Sequence, residues 1–184
     1  REARHPLLVL DPQMRRQGGP QPIDLHLRPQ DRALVVSGGN AGGKTVCLKT
    51  LGLLAAMSFT GLPVPAASGS AIPWWPSIHA LIGDEQSLDD HVSTFTAQIA
   101  SLAAIWPTLG PGSLVLLDEF GAGTDPAQGA ALAQALLDEL VANGACTVAA
   151  THFPALKTYA LTHEHVRAAS VLFDPATKRP LFRL

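Results

Sequence analysis

The sequence predicts an α/β fold, with a mostly parallel sheet flanked by helices and an antiparallel β portion toward each end of the chain. Three observations predict it. A glycine-rich stretch, Ser37–Val46, lies between a short apolar run and a segment of helical character. Continuous apolar runs of strand length lie at Ser113–Leu117 and Ala145–Ala150, and a helix-length segment separates them. Strands and helices that alternate in this way form a parallel sheet with helices on both faces.

The predicted strands are short apolar stretches, several of them rich in β-branched residues. The first two, Leu7–Leu10 and Ile23–Leu27, are joined by the polar, glycine-containing loop Asp11–Pro22 and form the N-terminal antiparallel portion. The other strands are predicted at Ala33–Val36, Ser77–Ile82, Ser113–Leu117, Ala145–Ala150, Val166–Phe173 and Pro180–Leu184. The last two of these form the C-terminal β portion.

The predicted helices are recognised by apolar periodicity and by their end signals. Asp125 and Pro126 suit the N-cap and the first position of a helix, and Asn143–Gly144 suits its end. The predicted helices are Thr45–Phe59, Val92–Trp106, the segment from Pro126 to Asn143, and Pro154–Leu161. They alternate with the strands, as the fold class requires.

The stretch SGGNAGGKTV, Ser37–Val46, fits the phosphate-binding pattern G-x-x-x-x-G-K-[ST]. The strand before it and the helix after it supply the context that this P-loop pattern needs, and they argue against an ordinary glycine turn. The first amides of a helix have no helical partner and its dipole end is positive, so that they attract phosphate. Lys44 is expected to reach the β- and γ-phosphates, and Thr45 to bind Mg²⁺. The predicted nucleotide-binding residues are Gly38, Gly39, Asn40, Ala41, Gly42, Gly43, Lys44 and Thr45.

Two adjacent acids, Asp118 and Glu119, follow the apolar run Leu114–Leu117. The run places them at the carboxyl end of a buried strand, which is the edge where ligands bind in parallel α/β sheets. Asp118 is suited to hold Mg²⁺ through water, and Glu119 to polarise an attacking water molecule. The alternative is a pair that only serves a helix dipole or solubility. The P-loop upstream favours nucleotide hydrolysis.

His152 lies one residue beyond Thr151, where the predicted strand Ala145–Ala150 runs out. An imidazole is both donor and acceptor near neutral pH, so that at this strand end it can contact a γ-phosphate and report its presence. A lone histidine is more often a satisfied surface or core residue. Its position beside the other two motifs favours the γ-phosphate role.

Composition limits the classes of protein that the chain fits. Its 184 residues are 47% hydrophobic and 15% charged, which suits one globular domain with its own core. The net charge of −2 gives no indication of a strongly basic face. If the protein binds nucleic acid, other segments are therefore expected to supply many of the contacts. Cys47 and Cys146 lack metal-site spacing and are interpreted as reduced core residues, which predicts a cytoplasmic protein. No apolar run reaches the roughly 18 residues that a membrane-spanning helix needs, so that no membrane partner is expected. Because it starts without Met and stops inside a predicted strand, the chain is expected to be a single domain, 1–184, excised from a longer protein.

Aromatic side chains leave two questions open. Trp74 and Trp75 lie between prolines, and the pattern fits equally well with packing under the sheet or contact with another domain. No aromatic residue is clearly placed to stack on a nucleotide base. Phe173 and Leu10 are the candidates for that contact.

Four ordered motifs, GGNAGGKT, IGDEQSLDDHVSTF, LLDEFGAGTDP and ATHFPALK, resemble the ABC class of ATPases and, within it, the ATPase domain of the MutS family. The resemblance extends from Arg4 to Leu184 and is greatest to the second bacterial MutS type, the paralogue without mismatch-reading domains. It implies a P-loop NTPase fold of ABC-ATPase type that takes ATP and Mg²⁺. Asn40 matches the family's P-loop asparagine. Departures from the family pattern at Gly39, Ala41 and His91 leave the phosphate-binding residues intact.

The resemblance also implies a dimer. In the MutS family, ATP binds between two such domains, and the signature segment of one completes the site of the other. The signature carries over to Ser93–Phe95, so that Ser93 would act in trans on the γ-phosphate held by a second copy. A serine hydroxyl and free helix amides at that place would meet the phosphate. Gln86 lies in the loop that senses Mg²⁺ or water in ABC relatives.

The predicted function is ATP binding and hydrolysis that opens and closes a dimeric clamp. The resemblance implies a clamp on branched DNA that limits recombination, whereas some relatives act on stalled or collided ribosomes; both targets need segments outside this chain. A clamp with negligible hydrolysis is a further alternative, against which Glu119 argues. A transporter nucleotide-binding subunit is another, and the lack of a glycine-rich signature at Ser93 argues against it. Whether the parent protein carries a nuclease domain is left open.

Overall fold

A parallel sheet forms the central layer of the computed structural model, which describes residues 1–39, 42–83 and 94–172. Within those residues it has five strands, in the spatial order β2 (Ile78–Leu81), β3 (Leu114–Asp118), β4 (Cys146–Thr151), β1 (Ala33–Ser37) and β5 (Val166–Ser170). Each neighbouring pair runs parallel. The carboxyl ends of these strands therefore meet at one edge of the sheet, where the chain places its predicted site residues.

Helices cover both faces of this sheet. On one face lies α3 (Lys44–Phe59), and on the other lie α4 (Thr94–Ile105), α5 (Pro126–Ala142) and α6 (Pro154–Thr162). A short 3-10 helix, Trp106–Thr108, continues α4. The α/β class, the parallel sheet and the flanking helices are thus confirmed, with element ends that differ from the predicted ones by at most a few residues.

The two faces of β1 belong to different hydrophobic cores. Ala33 and Val35 pack with α5 and α6, whereas Leu34 and Val36 pack with α3. Successive side chains of a strand point to opposite faces, so that a strand covered on both sides needs a continuous apolar sequence. This is why the continuous apolar runs in the sequence predict the central strands well.

The end signals of α5 act as the sequence predicts. The Asp125 carboxylate accepts hydrogen bonds from the backbone amides of Ala127 and Gln128, and Pro126 occupies the first turn. Gly144, just beyond the helix, has a left-handed φ of 74°. The capped start and the glycine stop fix α5 between the acidic pair and β4.

The predicted N-terminal strand Leu7–Leu10 is wrong. These residues form the helix α1 (Pro6–Leu10), and a second short helix, α2 (Pro12–Arg16), occupies the predicted loop. Proline at the first position presets φ for each helix, and the Asp11 carboxylate caps α2 by accepting from the amides of Gln13 and Met14. A short apolar run has no periodicity that separates helix from strand, and here the prolines decide.

The predicted strand Ile23–Leu27 is also wrong as a strand. It makes one isolated antiparallel bridge, in which the amides and carbonyls of Ala3 and Ile23 exchange hydrogen bonds of 2.8 Å. Its alternating pattern still directs Leu25 and Leu27 against the core beside α3. The pattern thus predicted which side chains are buried, but it did not predict a ladder.

The predicted C-terminal antiparallel portion is wrong in the part that the structure describes. Residues 166–170 form β5, which pairs in parallel with β1. The chain enters β5 from β4 through α6, and a helical crossover returns the next strand in the same direction. The predicted strand Pro180–Leu184 lies outside the described residues.

The two adjacent tryptophans have opposite environments. Trp75 is buried in the core beside α3, whereas Trp74 is 71% exposed. Both rings contact Phe59 at the end of α3, with centroid distances of 4.6 Å for Trp74 and 6.4 Å for Trp75. One of the two predicted alternatives, packing under the sheet, therefore holds for Trp75. Among the described residues, every helix is too short or too polar to cross a membrane.

Candidate functional site

The described glycines of the loop between β1 and α3 lie close to the Lys44 side chain and to the segment after β5. Gly38 and Gly43 have positive φ values of 148° and 86°, which favour glycine. A Cβ on Gly42 would lie 3.0 Å from Val171 Cγ1, so that the loop also packs closely against the segment after β5. Asn40 and Ala41, two of the predicted nucleotide-binding residues, lie outside the described residues.

Lys44 is the first residue of α3 and is only 2% exposed. Its Nζ donates to the carbonyl oxygens of Gly38 at 2.8 Å and Gly39 at 3.2 Å. It also lies 3.0 Å from Glu119 Oε1. A buried ammonium needs such partners because its desolvation is costly. The loop therefore holds a positive charge at the carboxyl edge of the sheet.

Glu119 follows β3 directly and has an unusual backbone. Its φ is 52°, in the left-handed region, where a residue with a side chain is strained by about 1–2 kcal/mol. Its amide donates to the Ala150 carbonyl at 3.0 Å, and its carbonyl accepts from the Ala122 amide at 3.0 Å. These two bonds tie the turn after β3 to the end of β4.

His152 contacts the same carboxylate from the end of β4. Its Nδ1 makes a hydrogen bond with Glu119 Oε2, and its backbone amide donates to the same oxygen at 3.2 Å. Glu119 thus bridges two cationic or donor groups, with Lys44 on Oε1 and His152 on Oε2. Glu119 and His152 follow the ends of β3 and β4, whereas Lys44 begins α3 after the loop that leaves β1, and the structure brings all three together.

Asp118, the last residue of β3, has a carboxylate oxygen without a partner. Its Oδ1 is buried and makes no hydrogen bond with the protein. Burial raises the pKa of the Asp118 carboxyl above its ordinary value, and the negative charge of Glu119 adds to this, while Thr45, Lys44 and Lys49 act in the opposite direction. Such an oxygen beside the Thr45 hydroxyl fits a divalent cation that prefers oxygen ligands.

The loop after Glu119 lies against α5 through two glycines. A Cβ on Gly121 would lie 2.6 Å from the Gly129 carbonyl oxygen, and a Cβ on Gly129 would lie 2.3 Å from the Gly121 oxygen. Neither position can take a larger residue without moving backbone. The close approach fixes the distance between the acidic pair and α5.

Gln98, on α4, is a site residue that the sequence did not predict. Its Nε2 donates to the Glu119 carbonyl at 3.3 Å, and its Oε1 accepts from the Gly121 amide at 3.0 Å. A glutamine inside a helix carries no motif, and only the folded arrangement shows what it touches. Two other predicted site residues, Ser93 and Gln86, lie outside the described residues.

A cavity of about 360 Å³ opens beside the loop and the start of α3. Its lining is mainly apolar and is shared by the N-terminal segment, the loop, α3 and Val171: Ala3, His5, Leu8, Met14, Gln17, Gly19, Pro20, Gln21, Ile23, Gly42, Gly43, Val46, Cys47, Thr50 and Val171. Leu10, a candidate for stacking a base, is 63% exposed and does not line it, and Phe173 lies outside the described residues. The sequence missed this cavity because it depends on how α1 and α2 fold over α3.

Two titratable groups in the cavity wall are shifted toward their neutral forms. Burial and, next, the positive charge of Lys49 lower the pKa of the His5 imidazole, whose Nδ1 is buried without a partner. Burial raises the pKa of the Cys47 thiol to about 12. The wall of the cavity is therefore uncharged at neutral pH at these two positions.

Comparisons with known proteins agree with the fold and with these motifs. The family model of MutS domain V matches residues 34–183. Proteins called "Endonuclease MutS2" are similar along essentially the whole chain: 63% identity over 99% of the chain in Solidesulfovibrio magneticus, 60% over 100% in Maridesulfovibrio salexigens and 50% over 100% in Pelotomaculum thermopropionicum. The chain spans about a quarter of the length of these relatives, 23%, 23% and 22% respectively. The chain therefore belongs to the MutS family, as a domain V of the MutS2 type.

Proposed function

We propose that this domain binds Mg-ATP and hydrolyses it to ADP and phosphate, as an ABC-type ATPase within a longer protein that acts on DNA. The convergence of Lys44, Glu119 and His152 carries the proposal. Nζ of Lys44 lies 3.0 Å from Glu119 Oε1, and His152 contacts Glu119 Oε2 through both its ring and its amide. A phosphate-binding cation and a candidate base at one strand edge suit phosphoryl transfer.

The start of α3 supplies the phosphate site. The N-cap residue is Gly43, which has no side chain that could compete with a ligand for the first amides of the helix. Those amides and the positive end of the helix dipole attract an anion. Lys44, now bonded to two loop carbonyls, is expected to turn its ammonium toward the β- and γ-phosphates.

Asp118 and Thr45 would hold Mg²⁺. The buried and unpartnered Asp118 Oδ1 beside the first turn of α3 supports this assignment. When bound, Mg²⁺ neutralises charge on the β- and γ-phosphate oxygens. Burial raises the pKa of Asp118 and so disfavours its charged form, whereas a bound cation would favour that charged form.

Glu119 would act as the general base. It accepts a proton from the attacking water while the water oxygen bonds to the γ-phosphorus and the bond to the ADP oxygen breaks. The left-handed backbone aims its carboxylate toward the loop, where Lys44 lies. His152 holds the second carboxylate oxygen and is the residue suited to contact the γ-phosphate.

The cavity beside the loop would take the adenine base. It lies between the loop and the N-terminal segment, and its largely apolar wall suits a flat heterocycle. Gly42 and Gly43 line both the cavity and the phosphate-binding loop, so that one nucleotide could span the two. The base would then pack against aliphatic side chains such as Leu8 and Ile23.

The parent protein would work as a dimer on DNA. The relatives' name assigns them an endonuclease activity, and the MutS2-type membership supports DNA as the target. In such a dimer Ser93 of one domain would reach the γ-phosphate of the other. Turnover of the full-length protein measured with branched DNA, linear DNA and ribosomes in turn would identify the target, and stimulation by ribosomes alone would overturn the DNA assignment.

The first test removes the loop cation. We expect Lys44→Ala to weaken Mg-ATP affinity by at least about tenfold, about 1.4 kcal/mol or more, because a charge-assisted contact with phosphate is lost. Titration calorimetry measures the affinity. Lys157→Ala, at an exposed position on α6, is the matched control and should bind ATP normally. Equal affinity in the two variants would refute the phosphate site.

A second test addresses the dimer. Full-length chains carrying Lys44→Ala and chains carrying Ser93→Ala should each have little ATPase activity. A mixed dimer regains one intact site, because the intact Lys44 and the intact Ser93 then meet across the interface. Mixing at equal concentrations should therefore recover a measurable fraction of wild-type turnover. Absence of recovery, with mixed dimers demonstrated by mass, would show that Ser93 does not act in trans.

A further inference from the structure

The Gln98 side chain connects α4 to the turn that follows the acidic pair. It is half-buried, and its amide spans the turn: Nε2 donates to the Glu119 carbonyl and Oε1 accepts from the Gly121 amide, at 3.3 and 3.0 Å. The two bonds run in opposite senses. A carbonyl oxygen only accepts and an amide N–H only donates, so that the partners themselves fix which way the glutamine amide points.

The turn needs support from outside itself. Its first residue, Glu119, has a φ of 52°, and the Ala122 amide closes the turn on the Glu119 carbonyl at 3.0 Å. That carbonyl also accepts from Gln98, which belongs to a different element. The direction in which a side chain leaves the backbone follows from φ and ψ. A change in the turn would therefore move the Glu119 carboxylate away from Lys44 and His152.

Packing of α4 on the sheet has other sources. Ile99 and Leu102 of α4 pack against the core that α5 and α6 share. The two hydrogen bonds of Gln98 are thus directed at the turn after β3, not at the core that anchors the helix. Loss of the Gln98 amide would leave the helix in place and release the turn.

We propose that Gln98 is a positioning residue that holds the Glu119 backbone in its left-handed conformation and thereby aims the catalytic carboxylate. The inference rests on the proposed ATPase function. Because Gln98 belongs to α4, any displacement of that helix is passed to Glu119 through the two amide bonds. The position of α4 would then set how well the base meets its water.

The test compares Gln98→Met and Gln98→Glu in the full-length protein with Mg-ATP. Methionine keeps the length and shape of glutamine and removes both hydrogen bonds, whereas glutamate keeps the acceptor for the Gly121 amide. We expect kcat to fall about ten- to a hundredfold in Gln98→Met, with KM for ATP unchanged. We expect a loss of similar size in Gln98→Glu, because its second carboxylate oxygen faces the Glu119 carbonyl oxygen and cannot donate to it. Gln134→Met, at an exposed position on α5, is the matched control and should keep wild-type kcat.

A second measurement separates positioning from folding. Hydrogen exchange of the peptide 119–122 should be faster in Gln98→Met, because the Gly121 amide loses its acceptor, and near wild type in Gln98→Glu. In a Glu119→Gln background, Gln98→Met should cause no further loss of kcat, because it acts through the Glu119 carboxylate.

Three results would overturn the inference while wild-type protein still hydrolyses ATP: unchanged kcat in Gln98→Met, a rise in KM that matches the fall in kcat/KM, or additive losses in the double variant. Wild-type protein that binds ATP without any turnover would instead remove the hydrolytic function, and the inference with it. Faster exchange at residues 119–122 in that case would still establish the contact between Gln98 and the turn.

Discussion

Two clusters of polar side chains lie at opposite edges of the same sheet, and they are built differently. The charged cluster, Lys44, Asp118, Glu119 and His152, occupies the carboxyl edge. The serine cluster, Ser77, His79 and Ser113, occupies the amino edge, where β2 and β3 begin. Both bring together residue types that occur in catalytic sites.

The serine cluster is a closed hydrogen-bond network of two hydroxyls, an imidazole and a backbone amide. Ser77 Oγ donates to Ser113 Oγ at 2.9 Å, His79 Nε2 lies 3.0 Å from Ser77 Oγ, and the Gly110 amide donates to Ser113 Oγ at 3.1 Å. Ser113 is 2% exposed. Each of these polar groups has a partner within the protein, as buried groups require, so that the network suits the support of a turn and two strand ends.

The charged cluster differs from the serine cluster in its charge, in its backbone strain and in having a polar atom without a hydrogen-bond partner. Lys44 is buried, Glu119 has a left-handed backbone, and Asp118 Oδ1 lacks a hydrogen-bond partner. Each of these features costs folding free energy unless a bound ligand offsets the cost. A serine and a histidine in contact are therefore weaker evidence for chemistry than one strained acid and one unsatisfied oxygen at the correct edge of the sheet.

The largest expected effect that would separate the clusters is on turnover. Glu119→Gln should lower single-turnover ATP hydrolysis by about 10²–10⁴-fold, because general-base help is lost, while ATP affinity stays near wild type. Rapid quench with labelled ATP measures the step. Glu139→Gln, at an exposed position on α5, is the matched control. Wild-type turnover in Glu119→Gln would transfer the base role elsewhere, with His152 as the next candidate.

The charged cluster could be predicted from the sequence because its residues follow strands that are easy to recognise. Glu119 and His152 each come just after a continuous apolar run, and Lys44 begins the helix that follows a recognisable glycine-rich loop. Parallel strands bring such positions to one edge of the sheet. The helices α1 and α2, the cavity above α3 and the contact of Gln98 could not be predicted. They depend on contacts between segments distant in sequence, and a five-residue apolar helix has no periodicity to distinguish it from a strand.

A smaller effect is expected at the amino edge, and there on stability alone. Ser113→Ala leaves the Gly110 amide and the Ser77 hydroxyl without their acceptor, and an unsatisfied buried donor costs about 1–3 kcal/mol. Urea unfolding should detect this loss, with kcat and KM for ATP unchanged. Ser68→Ala, at an exposed loop position, should leave both stability and kinetics unchanged. A loss of turnover in Ser113→Ala would contradict the purely structural role of the serine cluster.

The smallest expected effect is the pH dependence that Asp118 gives to stability. Burial, with help from Glu119, raises the pKa of the folded Asp118 carboxyl, so that the folded state binds its proton more tightly than the unfolded state does. Stability must then fall as pH rises through the window between the ordinary pKa and the raised one.

In buffer free of divalent cations, Asp118→Asn should remove this pH-dependent component of stability. Its urea midpoint should exceed that of wild type slightly at pH 8, and the difference should shrink toward pH 4. Glu164→Gln, in the exposed loop before β5, should show no such convergence with wild type toward pH 4.

Added Mg²⁺ should stabilise wild type and not Asp118→Asn, because the cation would give the buried Asp118 oxygen a partner. If Asp118→Asn is less stable than wild type at pH 8 without Mg²⁺, then Thr45 and the nearby lysines already offset the burial of Asp118, and the contrast between an unsatisfied charged cluster and a satisfied serine cluster fails at this residue.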